Sequence, residues 1–382
     1  CESHVGFVVL PALDRRRCMI RTFRTFLPSQ SRQHLFGSIT WQRRSLVDSM
    51  ASPPHVVVVG AGGIGCWIAA SIAAAAFKTP SLARVTLVAR GKALDRVKAH
   101  GLEYSVKVAP NAGGEGEDPG PIQVGPGLVE AEPTCAAVLE RGGVADYVVL
   151  CVKTWQVADA ARDAAPLLRH GSGCIVTTQN GVSAPRDAQA ASADDAVLGG
   201  TAKVIVFRED GEEGPLKCVR IGSPAPKILQ IGEMTSRSSE RVSRLRTILE
   251  AGGINSPVPE DENIHRELWR KAVMMCSMGP LCALCRTDIH TLVRNPASRQ
   301  LLLSAMEEVC AISKQLDGCY VGDGYAQKNL EYLETMKPGG CPSTVRDVVC
   351  GRPSEIRELS GALHTLGQQL GVPTPVHSMA AA

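Results

Sequence analysis

Four consecutive valines, Val56-Val57-Val58-Val59, run directly into Gly60-Ala61-Gly62-Gly63-Ile64-Gly65 and then into an alanine-rich apolar stretch that ends at Phe77. A β-branched run that is apolar at every position fits a strand buried on both faces, the situation of a central strand in a parallel sheet. Residues 66–77 read as a helix buried on most sides, and Val85-Thr86-Leu87-Val88 as a second strand. Strand, helix and strand in this order make a βαβ unit, whose crossover is right-handed in almost all cases. The 22 residues from Val56 to Phe77 carry no charge and match a membrane span by length alone. Four glycines near the start, and Ala rather than Leu afterwards, argue for strand, turn and helix instead.

Further buried strands are expected at 146–152 and 174–178, while residues 109–133, with five Pro, read as loops or weak surface strands. After Gly200 come extended segments at 201–208 and 217–231, split by an acidic turn. From Asn263 onward the periodicity becomes helical, near 263–284, 296–316, 324–336 and 353–370. The fold class is therefore α/β: an N-terminal Rossmann-like doubly wound domain, 54–258, followed by an all-helical C-terminal domain, 259–382. A chain of 382 residues suits two such domains.

Residues 1–49 hold eight Arg, no Lys and only Glu2, Asp14 and Asp48, a local charge of +5 within a total of +3. The remainder is faintly acidic and the chain has few aromatics, so nucleic-acid binding has no electrostatic support. The leader has the composition of an organelle transit peptide. It also reads as upstream sequence outside the working protein, since Met50 stands just before the first strand. Fourteen Cys at irregular spacing suit a reduced intracellular protein rather than a disulfide scaffold. A cytoplasmic location is expected, or a mitochondrion or plastid if the leader is a genuine transit peptide. No membrane association is expected, and oligomeric state is left open, a homodimer included.

The loop Gly60, Ala61, Gly62, Gly63, Ile64, Gly65 matches G-x-G-x-x-G in the context that gives the pattern a mechanism, between a strand and a helix. Gly60 would permit the tight turn, Gly62 the approach of a pyrophosphate, and Gly65 close packing of helix and strand. The helix N-terminus would face the phosphates. At the end of the second strand, where an acidic residue would hold the ribose of NAD, the chain reads Val88-Ala89-Arg90-Gly91-Lys92. Cations there suit a 2′-phosphate, so NADPH is the expected cofactor.

With these residues in view the chain resembles the ketopantoate reductase (2-dehydropantoate 2-reductase) family from about Val56 onward. The motifs that carry the resemblance are the glycine loop with Arg90, Cys151-Val152-Lys153-Thr154, Gln179-Asn180-Gly181, Glu267-Leu268-Trp269-Arg270-Lys271, and Pro342-Ser343 with Asp347 and Arg352-Pro353-Ser354-Glu355. The resemblance implies reduction of 2-dehydropantoate to pantoate with NADPH, a step toward pantothenate. It implies Lys271 as the proton donor, with Asn180 near both nicotinamide and substrate. Lys153 would lie along the cofactor, Ser343 on the substrate carboxylate, and Glu355 by the cofactor and Lys271. The chemistry agrees, because an ammonium beside the carbonyl both stabilises the developing oxyanion and supplies its proton.

Simpler readings remain for single residues. Asn180-Gly181 is a strong turn signal, Ser343 and Glu355 fit helix starts, and Cys282-Ala283-Leu284-Cys285 on an apolar stretch fits core packing better than metal or redox chemistry. One departure bears on substrate. Better-studied relatives place Asn four and eight residues after the catalytic lysine, where this chain has Met275 and Gly279. Fewer polar partners discriminate poorly among 2-oxo acids. Two alternatives follow: a reductase of another small 2-oxo acid, or an NADP(H)-binding protein without turnover.

Overall fold

Alternation along the four-valine run sorts its side chains to the two faces of a sheet. Val56 and Val58 pack with Trp67, Ile68 and Ile72, whereas Val57 and Val59 pack with Val148, Leu150 and Ala161. The computed structural model describes residues 52–107, 120–192, 196–209, 211, 213–221, 228–235 and 238–382, so the leader expected over 1–49 lies outside the described residues.

The strands are β1 (His55–Val59), β2 (Arg84–Val88), β3 (Leu102–Lys107), β4 (Ile122–Val124), β5 (Glu130–Glu132), β6 (Tyr147–Leu150), β7 (Cys174–Thr177), β8 (Val197–Lys203), β9 (Ile205–Arg208), β10 (Leu216–Ile221) and β11 (Ile228–Glu233). Seven of them form one sheet in the order β11-β8-β7-β6-β1-β2-β5, parallel throughout except where β11 meets β8. The chain steps from β1 outward to β2 and later returns to β6 on the other side of β1. The carboxyl ends of β1 and β6 thus flank the switch point where open α/β sheets bind ligands.

The helices of this half are α1 (Gly63–Lys78), α2 (Gly91–His100), α3 (Cys135–Glu140), α4 (Val157–Ala164), α5 (Ala184–Ala191) and α6 (Glu240–Ala251). Helix α1 explains the uncharged stretch that resembled a membrane span, because its residues from Gly65 to Ala73 are buried. No helix among the described residues is long and apolar enough to cross a membrane.

The extended segments after Gly200 divide between two sheets, which periodicity did not reveal. Strands β8 and β11 complete the main sheet, while β9 and β10 join β3 and β4 in a second sheet of order β4-β3-β10-β9. The segment 109–133 likewise yields β4 and β5, with β5 a partner of β2 in the main sheet. The second sheet packs on α1: Tyr104, Leu216 and Cys218 share a core with Trp67 and Val56.

The remaining helices are α7 (Ile264–Cys285), α8 (Ile289–Arg294), α9 (Pro296–Lys314), α10 (Tyr325–Glu334), α11 (Ser343–Val349), α12 (Ala362–Leu370) and α13 (Pro375–Ala381), with a π-helical turn at Arg357–Gly361 leading into α12. Asn263 starts α7 by accepting a hydrogen bond from the Arg266 backbone N–H at 3.3 Å, and Asn295 starts α9 in the same way, ahead of Pro296. These helices enclose their own core around Trp269, Val273, Met306, Val309 and Leu330. Cys282 belongs to it, as core packing required, while Cys285 is exposed.

Candidate active site

The carboxyl ends of β1 and β6, the strand β9 and the facing sides of α7, α10 and α11 surround a cleft of about 1570 Å³. Of the residues singled out in the sequence, Gly60, Ala61, Gly62, Gly63, Ile64, Arg90, Lys153, Asn180, Lys271, Ser343 and Glu355 all line it.

Three of the four loop glycines have a separate steric reason. Gly60 takes a φ of +111°, and a Cβ there would lie 2.8 Å from the Cys151 carbonyl oxygen. A Cβ on Gly65 would overlap the Gly60 carbonyl oxygen, so Gly65 serves packing and does not itself line the cleft. Gly63 is closed off from the other side, where a Cβ would come within 2.5 Å of the Val206 carbonyl on β9. Gly62 differs: a Cβ there meets nothing closer than 4.0 Å, so its backbone faces open space at the start of α1. A flat, unobstructed backbone at a helix N-terminus fits a dinucleotide pyrophosphate. Arg90 is exposed at the cleft edge, directly ahead of α2.

Lys153 follows β6 and reaches across to the helical half. Its Nζ donates to Asp347 Oδ2 at 2.8 Å and to Glu355 Oε2 at 3.4 Å. Glu355 also accepts from the Thr154 backbone N–H at 3.0 Å and from Thr154 Oγ1 at 2.8 Å. Burial alone would lower the lysine's pKa, but the Asp347 hydrogen bond and the two carboxylate charges outweigh it and raise the pKa above 10.5. Glu355 is thus held by Lys153 and Thr154, and it reaches Lys271 only as a nearby charge. Asp347 accepts from Lys153, 194 residues away in sequence, and from Arg352 Nε at 3.2 Å.

Gln179 fixes the relation between Lys153 and Asn180. Its side-chain amide donates to the Leu150 carbonyl at 2.9 Å and the Val152 carbonyl at 3.0 Å, tying the end of β6 to the turn after β7. Gly181 has a φ of +88°, so the chain bends sharply after Asn180, and Asn180 lines the cleft.

Lys271 stands on α7 and is partly exposed to the cleft. Burial draws its pKa from 10.5 down to about 8; Cys276 and Glu355 oppose the shift, and the Lys203 charge adds to it. Lys203, the last residue of β8, pairs with the buried Glu267 on α7 at 3.1 Å, a second tie between the two halves. Arg270 also binds Glu267, at 2.9 Å, and lies over the Tyr325 ring. Arg346, absent from the sequence reading, lines the cleft one turn after Ser343 and sits over the Phe207 ring of β9.

Residues 56–220 match the model for ketopantoate reductase PanE/ApbA, and residues 263–382 match the model for the ketopantoate reductase PanE/ApbA C terminal. The chain belongs to the ketopantoate reductase family. A 2-dehydropantoate 2-reductase of Mesorhizobium japonicum is 28% identical over 340 residues, covering 84% of this chain and 93% of the relative. The PanE/ApbA family ketopantoate reductase of Ralstonia eutropha JMP134 has a crystal structure that superposes with a TM-score of 0.70 at 25% identity, over 86% of this chain and 96% of that one. The fold is shared by the 2-dehydropantoate 2-reductase of Geobacter metallireducens GS-15, with a TM-score of 0.69 at 22% identity over 86% and 97% of the two chains. Family membership makes this protein an oxidoreductase acting on CH–OH donors.

Within the family frame the two departures separate. Met275 lines the cleft one turn beyond Lys271. Gly279 does not line it: a Cβ there would lie 2.9 Å from Thr344 Oγ1, so this glycine is where α11 packs against α7.

Proposed function

We propose that the protein reduces a 2-oxo acid to the 2-hydroxy acid with NADPH, 2-dehydropantoate to pantoate being the reaction that family membership favours. The observation that carries the reading is one cleft joining an open glycine cradle to a lysine whose pKa is drawn down to about 8. NADPH, when bound, supplies the hydride. The Gly62 backbone and the start of α1 receive its pyrophosphate, and Arg90 meets the 2′-phosphate. Asn180 and Lys153 border the nicotinamide end.

As the new C–H bond forms at C2, the carbonyl π pair moves onto oxygen, and the Lys271 ammonium gives its proton to that oxygen. A pKa of about 8 leaves the ammonium protonated at neutral pH yet a better acid than an ordinary lysine. Ser343 binds the substrate carboxylate, and Arg346 supplies the countercharge beside it. Glu355 acts through Lys153 and Thr154 as a positioning residue. A second reading, reduction of a different 2-oxo acid, is favoured by Met275 in the cleft wall.

Steady-state kinetics over a panel of 2-oxo acids with NADPH and NADH test the proposal. Turnover of at least one 2-oxo acid with a preference for NADPH is expected. Tight NADPH binding with no turnover of any member, unchanged by Lys271→Ala, would leave an NADP(H)-binding protein.

A further inference from the structure

Beyond Lys271 the cleft continues along α7. Met275 and Met278 follow Lys271 at one and two turns on the same helix face, so this arm runs about 10 Å at a rise of 1.5 Å per residue. Its other walls are Ile289, Leu333 and Met336, from α8 and the end of α10. Two polar groups of this region are already engaged, while the Tyr325 and Tyr332 side chains line the same cleft from α10. The Asn329 side-chain amide donates to the Tyr325 carbonyl at 2.7 Å, and the Met336 carbonyl accepts from the His290 ring at 3.0 Å. The hydroxylated substituent of 2-dehydropantoate would lie mainly against the thioether and alkyl groups of Met275, Met278, Ile289, Leu333 and Met336, which disfavours a desolvated hydroxyl. Methionine walls, by contrast, adapt to irregular apolar groups and make favourable contacts with aromatic rings.

Resting on the reductase reading above, we infer that this arm holds the substituent of the 2-oxo acid, and that it takes bulky apolar substituents, aryl or branched alkyl, at least as well as that of 2-dehydropantoate. The carbonyl stays at Lys271, the carboxylate at Ser343 and Arg346, and the substituent runs along Met275 toward Met278. The reaction balances as before: the 2-oxo acid, NADPH and one proton give the 2-hydroxy acid and NADP⁺.

The test compares kcat/KM for phenylglyoxylate, 4-methyl-2-oxopentanoate and 2-dehydropantoate on the full chain. It is paired with calorimetric binding of oxamate and N-phenyloxamate, which are not reduced, in the presence of NADP⁺. The expected result is a kcat/KM for at least one apolar substrate equal to or above that for 2-dehydropantoate, and N-phenyloxamate binding at least tenfold tighter than oxamate. In Met275→Asn, checked for an unaltered melting temperature, both ratios should shift toward the polar ligand by about tenfold. A 2-dehydropantoate kcat/KM tenfold above both apolar substrates, or equal binding of the two oxamates, overturns the inference while the reductase reading stands. If no 2-oxo acid consumes NADPH, the reductase reading fails, and the oxamate pair still decides whether the arm selects apolar groups.

Discussion

Lys153 Nζ and Asp347 Oδ2 lie 2.8 Å apart and join the end of a sheet strand to a helix of the C-terminal half. Glu355 completes the clamp on the same ammonium. Each half has its own apolar core, and these charged groups at the cleft wall, with the Lys203–Glu267 pair, join the halves alongside Ile264, which packs on Gly199 and Gly232 of the main sheet.

Truncating Asp347→Ala should therefore lower stability by about 1–2 kcal/mol, since the lysine side chain is 39% exposed and part of its charge is recovered by solvent. Calorimetric melting checks this. The lysine's folded pKa is raised above 10.5, so the stabilisation is complete at neutral pH and is lost only as pH climbs through that raised value. At strongly alkaline pH the difference in melting temperature between wild type and Asp347→Ala should shrink to the part contributed by Arg352, whose Nε donates to Asp347 Oδ1 at 3.2 Å.

Turnover should follow the protonation of Lys271. With the ammonium lowered to about 8, kcat/KM is expected to fall tenfold per pH unit above that value and to be flat with respect to this group below it. Lys271→Ala should cost about 10²–10⁴ in kcat. Holding this charge disfavours the fold below pH 8, so Lys271→Met should raise stability at pH 7, by about 1–3 kcal/mol, while removing turnover. A pH–rate profile and paired melts on the two variants check both signs.

The glycine loop predicts opposite outcomes at two neighbouring positions. Gly65→Ala places a methyl on the Gly60 carbonyl and should fail to fold or lose most of its stability. Gly62→Ala meets nothing closer than 4.0 Å and should fold normally, yet bind NADPH at least tenfold more weakly because the methyl occupies the pyrophosphate's approach. Melting curves separate the first effect, and fluorescence titration with NADPH the second.

Arg90→Ala should raise the KM for NADPH by about tenfold or more and leave that for NADH nearly unchanged, since only one of them carries a 2′-phosphate. Equal changes in both would show that Arg90 does not touch that group.

Restoring asparagine at the two departed positions should give unlike results. Gly279→Asn forces a side chain against Thr344 and should destabilise by about 1–3 kcal/mol. Met275→Asn, at a cleft-lining position, should leave the melting temperature close to that of wild type.

The four valines, the glycine loop and the cation after the second strand were legible because each is a local fact: a strand buried on both faces needs apolar residues at every position, and a tight turn under a phosphate needs glycine. The catalytic-side motifs were recognised by resemblance, and the residues given roles in them, Lys153, Asn180, Lys271, Ser343 and Glu355, all line one cleft. What the residues touch there was not legible. The partners of Lys153 stand 194 and 202 residues away, the burial that lowers Lys271 is a property of everything packed round it, and Arg346 has no local signature. The second sheet belongs to the same class, since a short extended segment carries no mark of which sheet it will pair with. Gly279 makes the division plain. As a sequence it is a missing polar side chain; in the fold it is the contact that lets α11 lie against α7, because only there does the Thr344 hydroxyl occupy the space a side chain would need. Local covalent and steric rules write themselves into neighbouring residues, whereas distance, desolvation and pairing across the cleft exist only once the chain has closed on itself.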